Sequence, residues 1–326
     1  MLKVGLIGAG WVTQHHLQAW QRQHPRAKVI AIADPSADRA HQRAREFDIE
    51  HVHADARALL EQTRVDALDI AAPREIHAEV IRLAAAHGVA IMCQKPLAPT
   101  YEIAREVVAE VAGKVPFMVH ENWRFRPHYR QISEWLKAGR IGRVVQAQMT
   151  LLTSGFIADA QGRFPAIERQ PFIAGLDRAL VMEVLIHHID VLRFLLGELT
   201  LTHARLGKQC QAIRGEDRAS LVFGGEQGLV VNLLANFAVH GESPVQTDQL
   251  LLIGENGTIR LAGDMLECFG PQPVQQRYDL QAGYAESYAA AIDHFVNGLV
   301  HDQAFETSAN DNLRTLHLVE QIYSTS

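Results

Sequence analysis

The sequence predicts two domains: a doubly wound α/β domain with a parallel sheet over residues 1–122, and an α+β domain with an open, mostly antiparallel sheet over residues 123–326. Three observations predict this. From residue 3 to about residue 120, short apolar runs alternate with helical stretches of ten or more residues, which is the syntax of βαβ units. After residue 120 the alternation gives way to strands joined by glycine-containing turns. A chain of 326 residues also exceeds one ordinary core, at about 100 to 200 residues per domain.

In the first domain the apolar runs are residues 3–7, 29–33, a weak run at 51–53, then 67–71, 89–92 and 116–120. They are short and do not alternate, as strands buried on both faces of a parallel sheet require. Helical periodicity fills residues 12–23, 37–47, 75–87 and 101–112. Right-handed crossovers wind such a series into an open sheet, with its ligand crevice at the carboxyl ends of the strands. In the second domain an amphipathic helix at 129–137 precedes strands at 144–152, 201–208, 219–223, 229–237, 249–253 and 258–261. The turns at 224–228 and 255–257 favour antiparallel hairpins. A helix is expected at 180–196, and two more at 286–299 and 310–323. Residues 153–179, rich in Gly, Pro and Arg, are long for a connection, and loops of that length often act as lids.

With 48% hydrophobic and 21% charged residues the chain has a globular composition. A net charge of -6 gives no electrostatic reason to expect nucleic acid or an anionic membrane as a partner, so a small molecule is the expected ligand. The opening residues lack a signal-peptide pattern and no run of 18 apolar residues follows, so a cytoplasmic protein is expected. Cys93, Cys210 and Cys268 are odd in number and lack CxxC spacing, and all three are read as packing residues.

Gly8, Ala9 and Gly10 follow the first strand and open the first helix with Trp11 and Val12. Glycines there permit a tight turn and let backbone N–H groups approach a pyrophosphate at a helix N-terminus, the signature of a Rossmann dinucleotide site. Thr13 stands where the third small residue of the fingerprint belongs. Asp34 ends the second strand, where a carboxylate accepts hydrogen bonds from an adenosine ribose and repels a 2′-phosphate. NAD is therefore the expected cofactor, in preference to NADP.

Glu183 and His187 are four apart on the predicted helix, where a carboxylate can orient an imidazole. His188 is turned about 100° away and is read as supporting or structural. No shared metal ion is expected, because adjacent histidines diverge. Lys95 sits just past a strand's carboxyl end and is followed by Pro96. Such a group set suits hydride removal from an alcohol. If an alcohol titrates like bulk water, near 16, ionising it at pH 7 requires about nine pH units, or roughly 12 kcal/mol. A concerted base is needed, and histidine titrates closest to working pH. A lysine ammonium can hold the hydroxyl and stabilise developing negative charge. The segment 120–127, reading HENWRFRP, groups polar side chains beside an aromatic, as a polyhydroxylated ligand requires. For Glu121 and Arg126 a substrate contact and a solvated charge run both stand open.

Three segments together resemble the glucose-fructose oxidoreductase and inositol dehydrogenase family (Gfo/Idh/MocA): Ala71-Ala72-Pro73 with His77, then Cys93-Gln94-Lys95-Pro96-Leu97, then residues 183–197 reading EVLIHHIDVLRFLLG. The resemblance spans essentially the whole chain. It implies cofactor contacts at Ala72, Pro73, His77 and Gln94, a catalytic Lys95, Glu183 and His187 in the place of an aspartate and a histidine, and Asp190 matching a later aspartate. It also matches Arg124 to an arginine after the sixth strand. The substrate-side residues are then Asn122, Arg124, Asp190 and His188. Two positions depart from the family pattern, Gln94 for glutamate and Glu183 for aspartate. Within the family the motifs look closest to aldose dehydrogenases, D-apiose-type enzymes among them. The implied activity is NAD-dependent oxidation of a sugar or polyol by a homodimer or homotetramer, because an open sheet needs cover. A catalytically silent NAD-binding sensor has little reason to carry Lys95, Glu183 and His187 together. An NAD-dependent glycosidase is the other rival, whose representatives are generally longer and exported. The reading rests on convergence of Lys95 and His187 at the nicotinamide.

Overall fold

A computed structural model describes residues 1–326, which divide into two compact units: Met1–Phe125 with Tyr284–Leu316, and Arg126–Gly283 with His317–Ser326. The first unit is built on a parallel sheet of β1 (Leu2–Ile7), β2 (Ala27–Ala33), β3 (His51–His53), β4 (Ala67–Ile70), β5 (Ala90–Gln94) and β6 (Phe117–His120), in the order β3-β2-β1-β4-β5-β6. All side chains of β4, β5 and β6 are buried, the pattern that the continuous apolar runs require. The helices α1 (Thr13–Gln21), α2 (Ala37–Phe47), α3 (Ala56–Gln62), α4 (His77–Ala86) and α5 (Tyr101–Val111) connect the strands. The sequence pattern does not foresee α3, a two-turn helix capped by Asp55, whose carboxylate accepts the Ala58 N–H at 2.8 Å.

The second unit opens with α6 (Pro127–Lys137), which carries Pro127 at its first turn. Its sheet contains β7 (Val144–Leu152), β8 (Thr200–Gly207), β9 (Arg218–Gly224), β10 (Val230–Asn236), β11 (Gln249–Gly254), β12 (Thr258–Ala262), β13 (Met265–Phe269) and β14 (Val274–Arg277). The strand order is β14-β13-β12-β11-β7-β10-β9-β8, and every neighbouring pair is antiparallel except β7 with β10. The hairpins predicted from the two glycine turns are β9–β10 and β11–β12. Residues 153–179 are largely folded: they hold α7 (Pro165–Arg169) and a 3₁₀ turn (Pro171–Gly175), and they bury Phe156, Ala166 and Ile173.

The expected helix at 180–196 is in fact two pieces. A π turn, Val181–Leu185, precedes α8 (Ile186–Leu196). The turn begins where the Glu216 carboxylate accepts the Ala179 and Val181 N–H groups, at 3.2 and 2.9 Å, while the Met182 N–H donates to the Tyr323 hydroxyl. Anchored backbone donors allow the wider winding that isolated helices avoid.

The chain closes with α9 (Leu280–His301) and α10 (Ala309–Thr325). The observed units differ from the expected boundaries of 1–122 and 123–326 in two respects: the first unit runs on to Phe125, and residues 284–316 belong to it. Ile292, Phe295 and Val296 of α9 share one buried cluster with Leu17, Trp20 and Met118, and Thr307 bonds to both backbone groups of Val119 beside β6.

Candidate active site

In the first unit the nucleotide loop has the form that its glycines require. Gly8 has φ of +105°, and a Cβ there would lie 2.4 Å from the Ala71 carbonyl oxygen, so both conformation and packing demand glycine. At Gly10 a Cβ would meet no protein atom within 4 Å. Packing therefore does not require glycine at that position. Thr13 is buried in the third fingerprint position and donates its hydroxyl to the Gly10 carbonyl at 2.6 Å, which closes the turn. Asp34, just past β2, accepts the Ala9 N–H on Oδ2 and the Ser36 N–H on Oδ1, both at 2.8 Å. Arg39 lies 3.1 Å from Oδ1. The carboxylate therefore ties the glycine loop to the end of β2, at the place where a ribose would be read. These residues fit a dinucleotide.

His77 turns out to be a strut beneath the loops. Its Nε2 lies 2.9 Å from the Ala72 carbonyl and its Nδ1 lies 3.1 Å from the Pro96 carbonyl, with the ring 1% exposed. Burial lowers its pKa despite those carbonyls. The ring thus lies between the loop after β4 and the loop after β5, and in its neutral form it donates to one of the two carbonyls. Gln94 closes β5, beside His120 at the end of β6, and Lys95 follows it, half-buried. An aromatic group lines the start of α1: Trp11 meets His15 edge-on at 4.8 Å, and Tyr284 lies 5.4 Å from His15 and 6.0 Å from Trp123.

Asn122 and Arg124, expected to touch substrate, are buried and hydrogen-bonded within this unit. Asn122 is 3% exposed and donates to Ser287 Oγ at 2.7 Å. Arg124 is 4% exposed, with Nη1 on the Glu306 carbonyl and Nη2 on Asp311 at 2.9 Å. The returning segment 284–316 supplies all three partners, and no local pattern announces that return.

In the second unit Glu183 lies on the π turn and His187, His188 and Asp190 lie on the first turns of α8. Glu183 and His187 stand four residues apart across the junction of the π turn with α8. His187 is 7% exposed and Asp190 is fully buried. His188 is buried too, and it belongs to a hydrogen-bonded network. Its Nδ1 faces the Val184 carbonyl at 3.1 Å and its Nε2 faces Asp248 Oδ1 at 3.0 Å. Asp248 also accepts the Tyr129 hydroxyl at 2.8 Å, and Arg126 Nη1 lies 3.8 Å away. Burial works against the Asp248 charge, yet His188, Arg126 and Tyr129 together hold its pKa well below the carboxylate range. Arg126 is thereby placed as a support of this network. Asp248 and Tyr129 were not foreseen. Both lie in segments whose polar residues look surface-like in sequence.

Two family descriptions match the chain: an oxidoreductase family with an NAD-binding Rossmann fold over residues 2–120, and the GFO/IDH/MocA C-terminal domain over residues 129–260. The chain is 32% identical to a D-apiose dehydrogenase of Paraburkholderia graminis, across 98% of its own length and 86% of the relative's. It is 29% identical to a D-apiose dehydrogenase of Rhizobium rhizogenes, across 100% and 95% of the two chains. Among solved structures, an oxidoreductase from Agrobacterium radiobacter in complex with NAD+, L-tartaric acid and magnesium superposes with a TM-score of 0.91 at 28% identity, covering 99% of this chain and 96% of that one.

Proposed function

Because the chain belongs to the Gfo/Idh/MocA family of NAD-binding oxidoreductases, we propose that it is a dehydrogenase of an aldose of the D-apiose type, oxidising the anomeric carbon to a lactone. Bound NAD supplies the hydride acceptor. The C–H electron pair leaves the anomeric carbon as the hydroxyl proton passes to the His187 imidazole, and the C–O bond becomes a carbonyl. Glu183 orients that imidazole, and Lys95 donates to the hydroxyl oxygen and steadies its developing charge. Asp190 lies on the same helix as His187. The nucleotide is held by Gly8, Ala9, Gly10, Trp11, Val12 and Asp34, with Ala72, Pro73 and Gln94 on the loops beside it.

The observation that carries this reading is the position of Lys95. It follows the carboxyl end of β5, on the same sheet edge as the Gly8–Gly10 turn after β1, the edge at which open parallel sheets bind ligands. The discriminating experiment follows absorbance at 340 nm with NAD and a panel of branched and linear pentoses, hexoses and polyols. NAD-dependent turnover on a branched aldose is expected. NAD binding without turnover on any sugar would favour a sensor instead.

Self-association is part of the proposal. Val230 and Leu234 on β10 are 42% and 44% exposed, and a broad sheet face of that kind calls for a covering partner. Sedimentation should give a mass of two or four chains. We place the enzyme in the cytoplasm; no helix is long and apolar enough to cross a membrane.

A further inference from the structure

The first unit buries a chain of four polar side chains that the hydride transfer leaves unused. Asp69 on β4, His16 on α1 and His120 on β6 are fully buried, and Gln94 at the end of β5 is 8% exposed. Asp69 Oδ2 lies 2.8 Å from His16 Nδ1, and His16 Nε2 lies 2.7 Å from Gln94 Nε2. The same Gln94 nitrogen lies 3.0 Å from His120 Nδ1. The Trp20 indole donates to Asp69 Oδ2 at 2.8 Å, while Oδ1 has no protein partner. His16 is the only cationic type of side chain paired with Asp69.

Donor and acceptor chemistry fixes the protons. An ionised Asp69 only accepts, so His16 carries its proton on Nδ1. The Gln94 amide nitrogen only donates, so His16 Nε2 and His120 Nδ1 are both bare and both rings are neutral. The opposite amide orientation would demand an imidazolium at His16. The location follows from topology. With Asp34, just past β2, assigned to the ribose of the adenosine half, the nicotinamide half falls over β4, β5 and β6. Gln94 and His120 form the carboxyl ends of two of those strands, and Lys95 is the next residue.

We propose that Gln94 is a positioning residue: by donating to two neutral imidazoles it keeps one fixed negative charge, and no titrating proton, beneath the nicotinamide half, so that NAD+ binding is independent of pH where imidazoles titrate. The proposal rests on NAD binding and not on the identity of the sugar. The groups facing His16 are Asp69 from β4, Gln94 from β5, His120 from β6 with ring centroids 4.4 Å apart, and Tyr288 from α9 at 5.4 Å, with His15 and Trp20 on its own helix. Replacing the amide by a carboxylate removes both donors. Both imidazole nitrogens would then face an acceptor, so Gln94→Glu takes up an additional proton within this cluster, and that proton is lost as pH rises.

Two measurements test this without any sugar. Long-range proton–nitrogen correlation spectra of histidine-labelled protein at neutral pH, with His16 assigned from His16→Gln, should show a neutral ring protonated on Nδ1. An imidazolium there overturns the proposal, and this result needs no variant at position 94. NAD+ titrations across about pH 6 to pH 9, the span around the imidazole pKa, should change less than about twofold for the wild type. Gln94→Glu should lose about tenfold in affinity or more by the upper end, an equivalent of one pKa unit. Gln94→Met, which lacks donors and charge, should bind more weakly at every pH with a flat profile. A flat profile for folded Gln94→Glu, or a tenfold variation in the wild type, overturns the proposal. A protein that passes both tests yet oxidises no sugar would sink the substrate assignment alone.

Discussion

Asp34 ties the glycine loop to the end of β2, and the proposed function also has it read the cofactor's ribose; its replacement separates the two. Asp34→Ser removes the charge that repels a 2′-phosphate and frees Arg39, which the carboxylate holds at 3.1 Å. The ratio of kcat/KM for NADP to that for NAD should rise by about tenfold or more, since one charge-assisted contact contributes roughly 1.5–3 kcal/mol. Arg39→Ala in the same background should abolish the gain, and an unchanged ratio would remove Arg39 from cofactor selection. Lys95→Ala and His187→Ala should each reduce turnover by about 10²-fold or more while NAD+ affinity stays near wild type. Stability gives a pH test elsewhere. Burial lowers the His128 pKa to about 4. An unfolded chain takes up that proton near pH 6.5 and the folded chain does not, so stability falls as pH drops from 6.5 towards 4, by about 3 kcal/mol from this group. Denaturant midpoints for His128→Leu should show a shallower acid slope. At this scale the sequence was readable where backbone chemistry is local, as at Gly8, Gly10 and Asp34. It was silent on the partners of Asn122 and Arg124, since Ser287 and Asp311 lie 165 and 187 residues downstream.

Between residue and fold, the element that matters most is the π turn before α8. Its N-terminal donors end on Glu216, which also accepts the Tyr323 hydroxyl at 2.6 Å. Glu216→Ala would leave two backbone N–H groups and a phenol without their acceptor. The expected loss is about 2–4 kcal/mol, with Tyr323→Phe milder at about 1 kcal/mol. Because the turn carries Glu183 and leads directly into His187, Glu216→Ala should also lower kcat more than it raises the KM for NAD. Equal kcat at a temperature where the variant is folded would separate the cap from the chemistry. Periodicity recovers α2 and β7 to the residue, because each has one clean face. It misses β13 and β14, since β14 is exposed throughout and offers no apolar alternation. It also cannot distinguish a π turn from an α turn, because that difference depends on Glu216, some thirty residues away in sequence.

At the scale of the whole molecule the chain leaves its first unit at Phe125 and returns to it at Tyr284. A fragment of residues 1–122, the domain expected from the linear pattern, therefore lacks part of its own core. Ile292, Phe295 and Val296 are at most fully buried spectators in sequence, yet they pack with Leu17, Trp20 and Met118, and Trp20 meets the Phe295 ring at 6.3 Å. Losing three large apolar side chains exposes their contact surface at about 1.5–3 kcal/mol each, comparable to the 5–15 kcal/mol that holds a domain together. The same return segment supplies Ser287 and Asp311, so its removal takes these partners from the buried Asn122 and Arg124. Expressed alone, residues 1–122 should be molten or insoluble and should not bind NAD+. A single chain joining residues 1–125 through a flexible linker to residues 284–316 should recover a cooperative thermal transition and NAD+ binding. Cooperative folding of the shorter fragment, measured by circular dichroism and NAD+ titration, would mean that α9 is an accessory of the first unit and that its core closes without the return.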